Sequence, residues 1–230
     1  SACTPSGSVI GSPATILAAT ERLAEAVTPV VEAIREELIT TPATVHVDET
    51  GARVAEKLHW IHVACTPLLT YLALSTRRGG KAHGEIDILP RRTGVVMHDD
   101  YAAYFAHSLH HATCNAHHLR DLIFIFQRYQ QLWADQLATL LVEIKQTVEQ
   151  SQQAGLTSLT PEQLVAFERR YQALLDQGDA DNPPATQRIH AHGKLKQSPV
   201  RNLLDRLRKH QAPVLAFMFE FAIPFDNNQA

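Results

Sequence analysis

Two aspartates stand where chemistry could be done. Asp48 closes the run TVHVD and Asp99 closes GVVMHD, and each is followed by a polar turn. If the two runs form neighbouring strands, their carboxylates converge on one divalent ion, and hard charged oxygens suit Mg2+ or Mn2+. Carboxylate-held ions of that kind activate a water or hydroxyl and stabilise a leaving oxygen in phosphodiester chemistry. Acids also follow strands simply as turn or capping residues, so the pair by itself leaves that plainer reading open. Glu49 and Asp100 are weaker candidates, because strand alternation aims them at the other face.

A second constellation gathers His107, His110, His111, Cys114, His117 and His118 within twelve residues. Cys114 and His117 have the CxxH spacing of half a zinc site, but no second ligand pair is evident beyond a speculative use of His59 and His62. The plainer reading is a polar strand end beside the acids. Local signatures for acyl transfer and nucleotide binding (GxSxG, P-loop, GxGxxG) do not occur. Cys114 as a thiol nucleophile is the weakest of these readings. Trp60, Trp133 and the stretch 217–225 read as core.

These residues need elements to position them. Residues 13–39 carry apolar side chains at helical spacing, with Pro29 expected to kink or divide the helix. Residues 44–75 read as three consecutive strands, with Gly51 expected to end the first as a turn. Residues 77–90 hold a short helix, 93–100 a fourth strand, 101–108 a short helix, and HATCNAH a fifth strand. From Leu119 to Val148 apolar residues step by three or four, which predicts one long amphipathic helix. Thr160, Pro161 and Glu162 open another helix with cap chemistry. QGDADNPPATQ reads as a loop, and residues 199–211 resume as a basic amphipathic helix. The order predicts an α/β arrangement with a mixed sheet.

Composition bounds the class. The 230 residues are 45% hydrophobic and 20% charged, which is globular and not disordered. No apolar run is long enough to span a bilayer, no signal peptide is visible, and three scattered cysteines point to a reducing, cytoplasmic setting. The net charge of −3 argues against a nucleic-acid partner until its distribution is considered. Residues 77–92 carry a local +3 and residues 188–210 a local +6, which leaves −12 for the remainder. Two basic segments could therefore meet phosphates, or be solvated surface. The candidate contacts are Arg77, Arg78, Lys81, Lys194, Lys196, Arg201, Arg206, Arg208 and Lys209.

Taken in order, VHVDETGARV, KLHWIHVACT, GVVMHDDYAAY, CNAHHLRDL and FDNNQA resemble the insertion-sequence-sixty-six transposases, from about residue 10 to the end. The resemblance implies a bacterial DDE transposase with a ribonuclease-H-like core, a mixed five-stranded sheet and a large helical insertion. It implies Asp48 and Asp99 as the first two catalytic, metal-binding acids. Cys114, Asn115, His117, His118 and Arg120, with Asp226, Asn227 and Asn228, would support the site. Mg2+ or Mn2+ is the implied cofactor, and zinc fits less well. Double-stranded DNA and other transposase subunits are the implied partners, in the bacterial cytoplasm at the nucleoid.

The implied layout is a helical lead-in (1–43), a core (44–120), a helical insertion (121–212) and the start of a final core segment (213–230). In the family pattern DNNxAER the third acid follows Ala230 directly, and Asp226 lies too early to replace it. The chain also starts without Met, so a fragment or broken reading frame is expected, weakly active or inactive as it stands. Two other readings follow: a non-catalytic remnant that binds DNA or a partner subunit, and a zinc-binding structural module around Cys114. Glu220 is assigned no role.

Overall fold

The alternation of TVHVDE sends Val45 and Val47 to one face and His46 and Asp48 to the other. In the computed structural model, which describes residues 12–185 and 196–230, this segment is the central strand β1 (Val45–Val54). It pairs antiparallel with β2 (Lys57–Cys65), which pairs antiparallel with β3 (Thr70–Ser75). On its other side β1 runs parallel to β4 (Val95–His98), and β4 runs parallel to β5 (His110–Thr113). The result is a mixed five-stranded sheet in the order β3-β2-β1-β4-β5. Gly51 does not end β1. The turn comes at Ala55 and Glu56, both left-handed (φ 47° and 65°), as a tight two-residue hairpin requires.

Helices flank the sheet: α1 (Pro13–Thr40), α2 (Gly80–Ile86), α3 (Asn115–Tyr129), α4 (Leu132–Gln153), α5 (Pro161–Asp181), α6 (Pro199–Lys209) and α7 (Gln211–Phe219). The expected short helix after Asp99 is one 3-10 turn, Tyr104–Ala106. The expected fifth strand stops at Thr113, and Cys114 caps α3. Pro29 leaves α1 unbroken. It stands in an exposed stretch where the carbonyl it frees meets water. The expected single helix over 119–148 is two, divided at the left-handed Gln130 (φ 53°). Both halves bury their apolar stripe in one core, so the periodicity runs across the break.

Two apolar clusters lie on the two faces of the sheet. Val45, Val47 and Val96 pack with Leu38, Ile39, Ile88, Leu89 and Tyr104. Met97, Ala112 and Cys114 pack with the helices around Trp133, Leu137, Leu141, Tyr171 and Leu204. Trp133 is core, as expected, and Glu220 is exposed at the end of α7.

Arg92, only 2% exposed, fastens α1 to the sheet. Its guanidinium donates to the carbonyls of Leu38 (2.7 Å), Thr41 (3.1 Å), Ala43 (2.6 Å) and Val95 (3.1 Å). It thereby satisfies carbonyls at the end of α1 and ties the entry of β1 to the start of β4.

The expected loop at 177–187 is helical as far as Asp181. Gly178 marks a close helix–helix approach there. A Cβ at this position would lie 2.6 Å from Leu204 Cδ2 and 2.9 Å from Trp133 Cδ2. In an open helix interior alanine is worth about 1 kcal/mol over glycine. Overpacking against a rigid buried ring costs about 1–3 kcal/mol. Gly178→Ala is therefore expected to lower Tm in a thermal melt. A higher Tm would show the crossing to be looser than described.

Candidate active site

The parallel ladder pairs Val45 with Val96 and His46 with Met97. Two residues further, the same register brings Asp48 level with Asp99, which lies just past the end of β4. Alternation puts both acids on the face of His46 and Met97. Asp48 accepts the Glu49 backbone N–H at 2.7 Å, and Asp99 accepts the Tyr101 N–H at 2.9 Å in a tight turn. Burial raises the Asp48 carboxyl above its ordinary value. The Glu49 N–H pulls it down, and the charge of Asp99 pushes it up again. A raised carboxyl of this kind is what a second carboxylate nearby produces. Neither acid joins an ion pair among the described residues.

Asp99 opens onto a cleft of about 260 Å³ lined by Arg78, Asp100, Tyr101, His117, Asp121 and Arg206. His117 is exposed at its rim, and its charge acts on Asp48. Asp100, next in the chain, is turned away into the protein. Its Oδ2 lies 3.1 Å from Arg206 Nε and 3.5 Å from His118 Nδ1, but neither approach is aligned as a hydrogen bond. Burial raises the Asp100 carboxyl to about 6, against the opposing pull of Arg206. His118 Nε2 is bonded to Thr113 Oγ1 at 3.1 Å.

The segment 225–230 crosses the sheet beside the acids. The Asn115 N–H donates to Phe225 O at 3.0 Å, and the Asn227 N–H donates to Cys114 Sγ at 3.2 Å. Asn227 Nδ2 donates to Val47 O at 3.0 Å, so its Oδ1 faces His46 Nδ1 at 2.8 Å and must accept from it. Cys65 Sγ donates to Gln229 O at 3.2 Å. Asn115 Nδ2 donates to Val214 O at 3.0 Å, while Asp226 only accepts the Asn228 N–H at 3.2 Å. Asn115 and Asn227 thus act as backbone clamps. Asn228 and Arg120 are exposed.

Cys114 and His117 do not form half a zinc site. Cys114 is buried in the helical core and bonded to Asn227, whereas His117 faces the cleft. Among the described residues, no three His, Cys, Asp or Glu side chains are grouped so as to hold a metal. His83 and His98 lie on the opposite face of the sheet, against Tyr104. His98 Nε2 and His111 Nδ1 are 3.0 Å apart, and His83 Nδ1 and His107 Nε2 are 3.1 Å apart. Tyr104 stacks on both His83 and His98.

Most of the described arginines of the basic segments are paired with acids inside the fold. Arg201, 7% exposed, pairs with Asp179 and Asp205, so it is not a free DNA contact. Arg208 pairs with Asp176 and Asp179, Arg206 with Asp100 and Asp121, and Arg77 with Glu85. Lys81, Lys196 and Lys209 are exposed, and Lys194 lies outside the described residues. Sequence reasoning set aside Glu49 and treated Trp60 as core, yet both hold Arg78. Glu49 pairs with its Nε at 2.7 Å, and half-buried Trp60 lies against its guanidinium. The alternation of β1 carried the signal, since a carboxylate aimed into an apolar face needs a cation.

The fold is a mixed α/β sheet that carries two level carboxylates, Asp48 within β1 and Asp99 just past the end of the parallel β4. The family model described as "Transposase IS66 family" matches residues 8–230, and the chain belongs to that family of DDE transposases. No curated protein and no solved structure matches the chain. No helix among the described residues is long and apolar enough to cross a membrane.

Burial of the histidines sets a pH dependence. His83 and His98 are pushed down to about 4 and His118 to about 3, mainly by desolvation. Below their ordinary 6.5 the unfolded chain takes up protons that the folded chain refuses, so stability declines as pH falls from 6.5 towards 4. Asp48 and Asp100, both raised, act in the opposite sense, but the histidines outnumber them. Tm is expected to fall across that window, and less steeply in His83→Gln. A Tm that is flat from pH 6.5 to 4 would contradict the burial of these rings.

Proposed function

We propose that the chain is the catalytic core of its transposase, cleaving DNA at element ends and joining the freed 3′-hydroxyl to a target. Asp48 and Asp99 are its first two acids. The observation that carries this reading is the parallel β1–β4 register, which sets the two carboxylates level on one face. The strand order β3-β2-β1-β4-β5, antiparallel through the first three strands and parallel thereafter, supports a ribonuclease-H-like core. In this reading residues 44–120 and 213–230 form that core, 1–43 lead into it, and 121–212 are a helical insertion. Double-stranded DNA is the substrate, and other transposase subunits are its partners.

The donor set fits Mg2+ or Mn2+. Both acids are half-buried hard-oxygen ligands without a cationic side-chain partner among the described residues, while Glu49 and Asp100 next to them are each matched with an arginine. Mg2+ is commonly held by one or two carboxylates, with waters and substrate phosphates completing its shell. When bound, such an ion supplies Lewis-acid polarisation of the phosphate and a lowered pKa for a coordinated water. The chain's own residues do the rest. Asp48 and Asp99 would hold the cation and so set where it could polarise a phosphate. The Asn227 clamp lays 225–230 beside β1, with its side chain bonded to Val47 and His46 just ahead of Asp48. His117 at the rim can hydrogen-bond a phosphate or water.

Asp48→Asn and Asp99→Asn are each expected to reduce divalent-ion-dependent cleavage of plasmid DNA by at least about 100-fold, as expected for losing a preorganised electrostatic group. Circular dichroism is expected to be unchanged. Undiminished cleavage by either variant, at wild-type ion dependence, would overturn the assignment.

A further inference from the structure

Most arginines of the two basic segments close onto acids or carbonyls. Arg78 is held from several directions and still presents free donors. Its Nε–H donates to Glu49 Oε1 at 2.7 Å, the only hydrogen bond it makes among the described residues. The Glu49 side chain is 1% exposed, and its Oε2 accepts the Tyr104 hydroxyl. The guanidinium lies 4.2 Å from the ring centre of Tyr101 and 4.8 Å from that of Trp60.

The backbone beneath it is fixed as well. His62 Nε2 donates to Arg77 O at 3.2 Å, and the Arg77 N–H donates to Ser75 Oγ at 3.1 Å. Gly79 follows at φ +74°, where a Cβ would come within 2.9 Å of the Tyr101 hydroxyl and 3.2 Å of Ala103 Cβ. Only glycine lets the chain pass that closely in that conformation.

The two terminal nitrogens of this guanidinium are left for the cleft that Arg78 lines with Asp99, Tyr101 and His117. Tyr101 couples the two sides, since its ring stacks on Arg78 while its N–H binds Asp99. A planar fork resting on aromatic faces, with its orientation already set by a buried carboxylate, is preorganised for a bidentate oxyanion.

We infer that Arg78 grips a DNA backbone phosphate at the mouth of the acid cleft, and that Glu49 is a positioning residue acting through Arg78. The inference rests on the DNA-cleaving reading above and names the substrate group that one residue takes. The pair is neutral overall, so the charge of segment 77–92 does not set Arg78 apart from its basic neighbours. Glu49 brings a negative charge close to where a polyanion would lie, which is unfavourable for binding unless it sets the guanidinium.

The test is equilibrium binding of a labelled random-sequence DNA duplex in EDTA, followed by anisotropy over a salt series, so that metal and turnover play no part. Arg78→Ala is expected to weaken binding about tenfold and to reduce the slope of log Kd against log salt by about 0.9, the contribution of one phosphate. Glu49→Gln is expected to weaken binding at least about threefold, as loss of a charge-assisted contact would, although it removes a negative charge. In an Arg78→Ala background Glu49→Gln is expected to weaken binding no further. Arg78→Lys keeps the charge but loses the fork, and is expected to bind at least about threefold more weakly than wild type.

Wild-type affinity and slope in Arg78→Ala would overturn the inference, as would Glu49→Gln binding as tightly as wild type or tighter. If Glu49→Gln fails to fold by circular dichroism, Arg78→Lys decides, and wild-type affinity there overturns the inference. Failure of the wild type to bind duplex DNA would overturn the DNA reading as a whole. Wild-type binding that is insensitive to Arg78 would overturn only this inference.

Discussion

The structure depends on the parallel register between β1 and β4. Two carboxylates at one level on one face repel each other, and partial burial makes that repulsion harder to screen. Nothing in their own chemistry keeps them together. The ladder that pairs Val45 with Val96 and His46 with Met97 supplies the restraint, and the turn in which Tyr101 N–H binds Asp99 fixes the second acid beyond the strand end. Arg92 reinforces the same register from below by joining the carbonyls at the end of α1 and the entry of β1 to Val95 at the start of β4. Asn227 anchors β1 from the helical face, bonded to Val47 and His46 one and two residues before Asp48.

The distribution of charge follows from that frame. A sheet with acids at one edge and a helical layer over one face has to match its buried cations and anions internally, or leave them desolvated at a cost of several kcal/mol each. Hence Arg201 closes on Asp179 and Asp205, and Arg206 on Asp100 and Asp121. The Arg206 pairs tie α6 to α3 and to the residue following the second acid, so the helical layer and the site are not independent. What remains unmatched is informative: Asp48 and Asp99 on the sheet, and the outer edge of Arg78, which lines the same cleft as Asp99.

Much of this was legible in the residues. Strict alternation in TVHVDE and the apolar GVVMH marked β1 and β4, and Thr160-Pro161-Glu162 marked the N-terminus of α5, where a full capping box with Gln163 forms; Asp99 follows β4 directly as expected, but Asp48 does not end β1, which runs on to Val54. Other features were not, for physical reasons. The break at Gln130 has no glycine or proline, and both flanking helices face one core, so periodicity carries across it. Gly51 and Gly178 resemble terminators in a linear reading, but Gly51 lies within the β1–β2 hairpin against Leu58, and Gly178 marks close packing against Trp133 and Leu204. The basic segments count as strongly positive because their partners at Asp100, Asp121, Asp176 and Asp179 are distant in sequence. Glu49 was undervalued for the same reason, since its partners Arg78 and Tyr104 come from other elements.

The central claim is that Asp48 and Asp99 act as one site, and a double-mutant cycle on Mn2+ affinity measures this most directly. Calorimetric titration of wild type, Asp48→Asn, Asp99→Asn and the double variant gives the coupling between the two carboxylates without reference to turnover. The account predicts strong non-additivity, with either single substitution removing nearly all the affinity that the double removes. Independent, additive losses, or Mn2+ binding unaffected by both substitutions, would contradict it.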